Sequence, residues 1–135
     1  MKVGWSETCP VCSADDVIKA RQQVRKRAQE LAFSIVELTK IVTAASEIAR
    51  NTLDYGGGGT MTIETVTSAS GRTGIRLVFD DHGPGIADVE KALKDGFTTG
   101  TGLGLGLGGA KRLSNEFDIE SRPGGGTRVT LVRWK

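Results

Sequence analysis

Two polar side chains four residues apart, Glu47 and Asn51, have types and a spacing suited to chemistry. They fall in a segment whose apolar residues recur every three or four positions, which predicts a helix, and residues i and i+4 of a helix share one face. A carboxamide oxygen can ligate a hard cation such as Mg²⁺, while a neighbouring carboxylate can orient or deprotonate a nucleophile. Such pairs are common on solvated helices, so a solvated helix surface is the alternative interpretation of the pair taken alone.

A glycine-rich run at residues 102–109 is the second feature with a chemical interpretation. Gly104, Gly106 and Gly109 match the spacing of a dinucleotide fingerprint, but no strand directly precedes them. A P-loop is excluded as well, because Lys111 does not directly follow a glycine. What remains is a glycine-rich segment that leads into a helix, where backbone N–H groups favour an anion such as a polyphosphate. A loop without a ligand is the alternative.

The segment 81–85, Asp-His-Gly-Pro-Gly, follows an apolar run that predicts a strand. Its two glycines would let the backbone approach a flat ligand, and the carboxylate of Asp81 offers an acceptor for an amino group. Thr127 begins the last predicted strand, and its hydroxyl can hydrogen-bond a purine or cap the preceding turn. An ordinary turn is the alternative interpretation of both segments.

Cys9 and Cys12 form a C-x-x-C pair near the start of the chain. A structural zinc site needs four ligands, but there is no second cysteine pair, and the single histidine, His82, lies in the segment 81–85. A thioredoxin-like pair would follow a strand and open a helix in a βαβ unit, whereas this pair precedes the other predicted elements. We therefore expect two ordinary reduced thiols near or within a first strand.

The elements that must position these residues are predicted by hydrophobic periodicity and turn signals. The predicted helices lie at about 15–32, 35–54 and 88–95, and a fourth contains Ala110, Leu113 and Phe117. The predicted strands lie at 60–67, 75–80, 117–121 and 127–132, after one further strand near the N-terminus. Helices grouped against a mixed, mainly antiparallel sheet make a two-layer α/β sandwich, which we expect to form a single domain over residues 1–135.

Composition excludes several classes of protein. The 135 residues carry 18 Lys and Arg against 16 Asp and Glu, a formal net charge of +2. This balance disfavours a protein whose affinity comes mainly from nucleic-acid phosphates or an anionic membrane. No apolar run approaches the roughly 20 residues that span a bilayer, and the chain opens on no signal-peptide core. We therefore expect a soluble cytoplasmic protein with no nucleic-acid or membrane partner.

Four segments occur in an order that resembles a known superfamily: Glu47–Asn51, Asp81–Gly85, Gly102–Gly106 and Gly126-Thr127. They are similar to the N box, G1 box, G2 box and terminal Gly-Thr of the GHKL, or Bergerat-fold, ATPases and kinases. That superfamily includes gyrase, Hsp90-type chaperones, histidine kinases and MutL proteins. Within it, residues 46–59 and 104–113 look most like the RsbT-type switch serine/threonine kinases of the stressosome.

The resemblance implies a Bergerat-type sandwich that binds ATP with Mg²⁺ and phosphorylates a protein serine or threonine. Glu47 would act as the general base toward that hydroxyl, and Asn51 would ligate the Mg²⁺ that bridges the ATP phosphates. Asp81 would accept the adenine amino group. The other implied ATP-binding residues are Gly83, Gly85, Thr98, Gly102, Gly104, Gly106 and Thr127.

The resemblance also implies protein partners. One is an RsbS-like STAS-domain antagonist within a stressosome, which the kinase phosphorylates, and the other is an RsbU-like serine phosphatase, which the released kinase activates by binding. The alternatives are an anti-sigma factor kinase of the RsbW or SpoIIAB kind and a catalytically idle, nucleotide-gated binding module. The outer face of the first helix is either a partner-docking surface or a solvated face, and its basic residues are Lys19, Arg21, Arg25, Lys26 and Arg27.

Overall fold

The computed structural model describes residues 1–86, 93 and 106–135, which contain five strands and three helices. In chain order the elements are β1 Lys2–Val11, α1 Ala14–Glu30, α2 Ile35–Asp54, β2 Gly59–Thr67, β3 Thr73–Asp81, α3 Gly106–Arg112, β4 Glu116–Ser121 and β5 Thr127–Trp134. The predicted helix at 88–95 falls outside the described residues, apart from Leu93.

The strands form one sheet in the order β1-β2-β3-β5-β4, with antiparallel ladders between the neighbours. The predicted hairpins are confirmed, since β2 pairs with β3 and β4 pairs with β5. The expected N-terminal strand is present as β1 at one edge. Across the sheet, Asp81 of β3 lies between Gly59 of β2 and Thr127 of β5. This register brings distant parts of the chain to one end of the sheet.

Helix α1 is capped at its N-terminus by Ser13, whose hydroxyl oxygen accepts a hydrogen bond from the backbone N–H of Asp16 at 3.1 Å. Its buried residues are spaced by four and face α2: Ala20, Val24 and Ala28. The helix ends slightly earlier than predicted, because Ala32 adopts a left-handed φ of 60° that no helix continues. The short turn at this point directs the chain into α2.

Helix α2 has the bounds that the sequence predicts, and it packs on α1 on one side and on the sheet on the other. Its predicted apolar stripe is buried throughout: Leu38, Ile41, Val42, Ala45, Ile48 and Ala49. Ile63, Leu77 and Phe79 complete the core from the sheet. The two-layer α/β sandwich is therefore confirmed. Within the described part of the chain, no helix combines the length and apolar character needed to cross a membrane.

The last predicted helix is shorter than expected, and Phe117, which the sequence placed both in this helix and at the start of the strand 117–121, belongs to the strand. α3 ends at Arg112, and Phe117 lies in β4, opposite Leu131. The chain leaves the helix at Ser114, whose hydroxyl donates to the carbonyl of Ala110 at 2.8 Å. The backbone nitrogen of the next residue then donates to Val132 of β5, so pairing with the sheet replaces the helix.

The sheet face opposite the helices is polar. Arg76 pairs with Glu64 across β2 and β3, and Arg128 pairs with Asp80 across β3 and β5. Because successive strand residues point to opposite faces, Asp80 faces this outer side while the adjacent carboxylate faces the helices. Asp80 and Asp81 therefore point to opposite faces of the sheet.

Candidate active site

Asp81, the last residue of β3, is the buried carboxylate of the site, with 8% of its surface exposed. Its Oδ1 accepts a backbone hydrogen bond from Gly83 at 2.9 Å and another from Thr127 at 3.2 Å. One donor belongs to the loop after β3 and the other to the start of β5, so two segments fix the orientation of the carboxylate. Oδ2 takes part in neither of these two bonds and lies beside Gly56.

Thr127 pairs with Asp81 across β3 and β5, and its Oγ1 lies 2.8 Å from Oγ of Ser121 on β4. Ser121 Oγ also accepts the N–H of Ile86 at 2.6 Å and donates to the carbonyl of Gly126 at 3.3 Å. Either hydroxyl can be the donor of the bond between Ser121 and Thr127, and the Thr127 hydroxyl also has lone pairs that can accept a hydrogen bond. Sequence reasoning missed Ser121, for which the position at a strand end was the only signal.

The glycines Gly83 and Gly85 sit where backbone segments touch. A Cβ at residue 83 would lie 2.7 Å from the Cα of Gly56, and a Cβ at residue 85 would run into the carbonyl oxygen of Arg122. Gly85 also has a φ of 77°, which glycine adopts at least cost. Both glycines therefore have a packing reason, and their contact with a flat ligand stays a prediction.

Tyr55 ties the loop after β3 to the end of α2. Its phenolic O–H donates to the carbonyl of Gly85 at 2.8 Å. The carbonyl of Asn51, one turn earlier, accepts the backbone N–H of Tyr55 at 3.0 Å, so the candidate metal ligand and the tyrosine share the last turn of the helix. In the sequence, Tyr55 stands out only as a phenol between a predicted helix and four glycines. Its hydrogen bond to the loop after β3 was not predicted.

Glu47 and Asn51 are both half-buried on α2. Glu47 Oε2 accepts a hydrogen bond from the backbone N–H of Gly106 at 3.3 Å. Gly106 is the first residue of α3 and the last of the glycines that the resemblance assigns to phosphate, so the candidate base lies beside the end of that run. A carboxamide oxygen is a hard donor of the kind that Mg²⁺ prefers, so Asn51 fits the ion.

Three predicted ATP-binding residues, Thr98, Gly102 and Gly104, lie outside the described residues, and their roles stay predictions. Over residues 1–86, 93 and 106–135, no group of three or more His, Cys, Asp or Glu side chains could hold a metal ion. The Mg²⁺ assignment therefore depends on Asn51 together with the phosphates of a bound nucleotide.

An open cleft of about 680 Å³ surrounds the end of the sheet. Asp81 and Thr127 line it together with charged residues of the strand ends, among them His82, Arg122 and Arg128. The cleft therefore connects the carboxylate of Asp81 and the side chain of Thr127 with solvent.

The cysteine pair lies in and beside β1, as predicted, and both thiols are free. Cys9 is half-buried, and burial raises the pKa of its thiol, with a further contribution from the carboxylates of Glu7 and Asp16. Cys12 is exposed, and its thiol donates to the carbonyl of Gly59 at 3.6 Å. Among the described residues, neither thiol forms a hydrogen bond with the carboxylate of Asp81.

A groove of about 310 Å³ lies between α1 and the C-terminal half of α2. Arg21 and Arg50 line it with Asp54 and an apolar surface that includes Val17 and Leu53. Two guanidinium groups against one carboxylate give the groove a positive charge. It lies on the side of α2 that bears Ser46 and Arg50, one residue before Glu47 and Asn51, respectively.

The predicted basic face of α1 is not uniform. Arg21, Arg25 and Lys26 are exposed, but the guanidinium of Arg27 lies 3.5 Å from the ring centroid of Trp5 in β1. This cation–π contact joins helix and strand. The helical spacing alone did not reveal it, because Trp5 is distant in the sequence. Arg27 is therefore a packing residue.

Comparison with known proteins identifies a family. Residues 37–135 match the model of the histidine kinase-, DNA gyrase B- and HSP90-like ATPases. The chain is 44% identical to the serine/threonine-protein kinase RsbT of Bacillus subtilis, over 88% of this chain and 89% of the relative. It is also 32% identical to an anti-sigma F factor of Thermoanaerobacter, over 85% of this chain and 82% of the relative.

Solved structures share the fold at low sequence identity. The RsbU and RsbW domains of a Mycobacterium tuberculosis protein match with a TM-score of 0.66 and 20% identity, over 97% of this chain and 33% of that longer chain. The SiaB–SiaC complex of Pseudomonas aeruginosa matches with a TM-score of 0.58 and 14% identity, over 98% of this chain and 91% of the matched chain. With its ordered motifs, its antiparallel two-layer fold and these relatives, the chain belongs to the histidine kinase-, DNA gyrase B- and HSP90-like ATPase family, as an ATP-using protein kinase of the RsbT type.

Proposed function

We propose that this kinase transfers the γ-phosphoryl group of ATP to a serine or threonine of a STAS-domain antagonist, and that the released kinase binds and activates a serine phosphatase. The 44% identity to RsbT over most of both chains supports the kinase and switch roles. The observation that carries the proposal is the hydrogen bond between Glu47 and Gly106, which joins the candidate base to the end of the glycine run.

The adenine end of the site is assigned to Asp81 and Thr127. Asp81 holds Oδ1 in two backbone bonds and offers Oδ2 to the exocyclic amino group of the base. The Thr127 hydroxyl, held by Ser121, is placed to accept from the base or from a water molecule beside it. Gly83 and Gly85 shape the loop that covers this end.

The phosphate end is assigned to Asn51, Glu47 and the glycine run. Asn51 would hold Mg²⁺, which supplies charge neutralisation of the phosphates, and Thr98, Gly102, Gly104 and Gly106 would contact those phosphates. Glu47 takes the proton of the acceptor serine or threonine hydroxyl. The oxygen of that hydroxyl bonds to the γ-phosphorus while the bond between the γ-phosphorus and the departing ADP oxygen breaks. Little other covalent work falls to the protein, since positioning and charge neutralisation dominate phosphoryl transfer.

The partner docks, in this proposal, in the groove between α1 and α2. The positive charge of Arg21 and Arg50 favours an acidic segment, and the apolar surface with Val17 favours one that also carries an apolar side chain. Consecutive helix residues point about 100° apart, so Arg50 and Asn51 present neighbouring faces of α2. A segment in the groove therefore lies beside the face that carries the base.

A second candidate function is that of an anti-sigma factor kinase, favoured by the 32% identity to anti-sigma F factors. Such a protein phosphorylates an antagonist too, but its main act is to sequester a sigma factor. The two functions differ in the partner that the kinase binds once it is free of the antagonist, which is a serine phosphatase in the first and a sigma factor in the second. Pull-down with a purified serine phosphatase and a purified sigma factor distinguishes them, because the proposed function requires binding of the phosphatase.

The deciding experiment is incubation of the kinase with ATP, Mg²⁺ and a purified STAS-domain protein, followed by intact-mass spectrometry of the STAS protein. We expect the mass of one phosphoryl group to be added, and peptide mapping to place it on a serine or threonine. Glu47→Gln, which keeps an acceptor for the Gly106 N–H, is the matched control and should leave the mass unchanged. An unmodified STAS protein, with ATP binding intact, would contradict the transfer role.

A further inference from the structure

Gly56, the first glycine after α2, is buried against the side chain of Asp81. A Cβ at residue 56 would overlap Cγ and Oδ2 of Asp81 and would lie 2.6 Å from its Cβ. The three atoms nearest to that position all belong to this one side chain. Gly56 does not have a positive φ, so its backbone conformation is open to alanine. The obstacle to a side chain at residue 56 is therefore the carboxylate.

Gly57, the next glycine, differs from Gly56 in its backbone conformation and in its surroundings. Gly57 has a φ of 73°, and a Cβ there would meet no atom within 4 Å. An alanine at residue 57 would strain the backbone without touching the site, whereas an alanine at residue 56 would touch the site without straining the backbone. These neighbours form a matched pair for experiment.

We propose that Gly56 is a positioning residue for purine recognition. Because it has no side chain, Asp81 keeps the orientation in which Oδ1 accepts from Gly83 and Thr127 and Oδ2 faces the amino group of the base. This inference rests on the proposed function, in which Asp81 reads adenine. It assigns part of the nucleotide selectivity to a residue that need not touch the nucleotide.

The expected consequence of a side chain at residue 56 is a loss of selectivity. To make room, the carboxylate of Asp81 must rotate, which disturbs the two bonds to Oδ1. Otherwise the loop after α2 must move away from Asp81 and from Gly83, which packs against Gly56 and donates one of those bonds. A carboxylate accepts from the 6-amino group of adenine but faces an oxygen acceptor at the same position of hypoxanthine. Displacement of the carboxylate therefore weakens ATP binding and leaves ITP binding little changed.

The test compares the affinities of wild type, Gly56→Ala and Gly57→Ala for ATP and ITP by calorimetry, each with Mg²⁺. We expect Gly56→Ala to lose about tenfold in affinity for ATP, and so to lower the ATP-to-ITP preference by that factor. Gly57→Ala should keep the wild-type preference. An unchanged preference in folded Gly56→Ala overturns the inference. Failure of the wild type to prefer ATP would instead contradict the assignment of Asp81 in the proposed function.

A second variant keeps the inference testable if Gly56→Ala does not fold. In the double variant Gly56→Ala with Asp81→Gly, the atoms that exclude the new Cβ are gone. We expect its thermal unfolding midpoint to match that of Asp81→Gly alone, since the alanine then meets no carboxylate. A double variant as unfolded as Gly56→Ala would mean that another contact requires glycine, and would overturn the inference.

Discussion

Glu47 Oε2 lies 3.3 Å from the backbone nitrogen of Gly106, although 59 positions separate the two residues in the sequence. This hydrogen bond joins the central helix α2 to the start of α3. It also orients a carboxylate toward the end of the glycine run, where the proposed transfer occurs. A substitution that removes only the charge of Glu47 therefore differs in its consequences from one that also removes the hydrogen bond with Gly106.

Glu47→Gln should retain nucleotide binding and lose phosphoryl transfer. The amide oxygen can still accept from Gly106, but an amide cannot take the proton of an acceptor hydroxyl. Loss of a positioned general base typically lowers the rate by about 10² to 10⁴. Single-turnover transfer to the STAS protein, with nucleotide affinity measured in parallel, checks this. Transfer at the wild-type rate would exclude Glu47 as the base.

Asp81→Asn should weaken adenine nucleotides with little loss of stability. The amide oxygen can replace Oδ1 as acceptor for Gly83 and Thr127, which places the NH₂ group where Oδ2 lies. A donor then faces the purine amino group, and the affinity for ATP should fall about tenfold or more. Calorimetry gives the affinity, and thermal unfolding gives the stability. Unchanged affinity would remove Asp81 from the site.

Tyr55→Phe should loosen the loop after β3. The substitution deletes only the hydroxyl that donates to the Gly85 carbonyl at 2.8 Å. We expect the free energy of unfolding to fall by about 1 kcal/mol, the usual net value of one such bond. Denaturant titration measures it. Equal stability of variant and wild type would mean that water replaces the phenol without cost.

Arg21→Ala with Arg50→Ala should slow association with the STAS antagonist or the phosphatase and flatten its salt dependence, with ATP affinity unchanged. The control is Arg25→Ala with Lys26→Ala, which removes the same charge from residues that do not line the groove. Surface plasmon resonance at two salt concentrations measures both pairs.

If the two double variants slow association equally, the basic face of α1 acts only through its overall charge. Whatever that comparison gives, the triple variant Arg21→Ala, Arg25→Ala and Lys26→Ala tests the basic face directly, and we expect it to bind ATP normally and to associate more slowly with either partner. Traces that overlay the wild type for both partners would identify the face as solvated, and would direct attention to the surface around the nucleotide entrance.

Cys9 should react with iodoacetamide more slowly than Cys12. Its raised pKa lowers the fraction of reactive thiolate at a given pH, and its side chain is half-buried whereas that of Cys12 is exposed. The difference should narrow as the pH rises toward the pKa of Cys9. Peptide mass spectrometry after timed alkylation measures both rates, and faster reaction of Cys9 would contradict the burial argument.

Local patterns predicted most of the elements correctly. The stripe from Leu38 to Ala49 defined α2, because a helix with one apolar face has a period that neighbouring residues reveal by themselves. The hairpins were equally local. Phe117 was the exception, since its spacing from Leu113 suits a helix, whereas its pairing with Leu131 in β5 decides its structure.

The sequence by itself therefore determined the order of the elements, the two-layer class and the identity of the polar residues that could act. Only the tertiary structure decided which of them meet. Thr127 lies opposite Asp81 because of the register between β3 and β5, and Tyr55 donates a hydrogen bond to the carbonyl of Gly85 in the loop after β3. A Cβ at residue 56 would overlap the carboxylate of Asp81. These contacts join residues far apart in the chain, and no local periodicity encodes them, because they depend on how the packed core brings separate segments together.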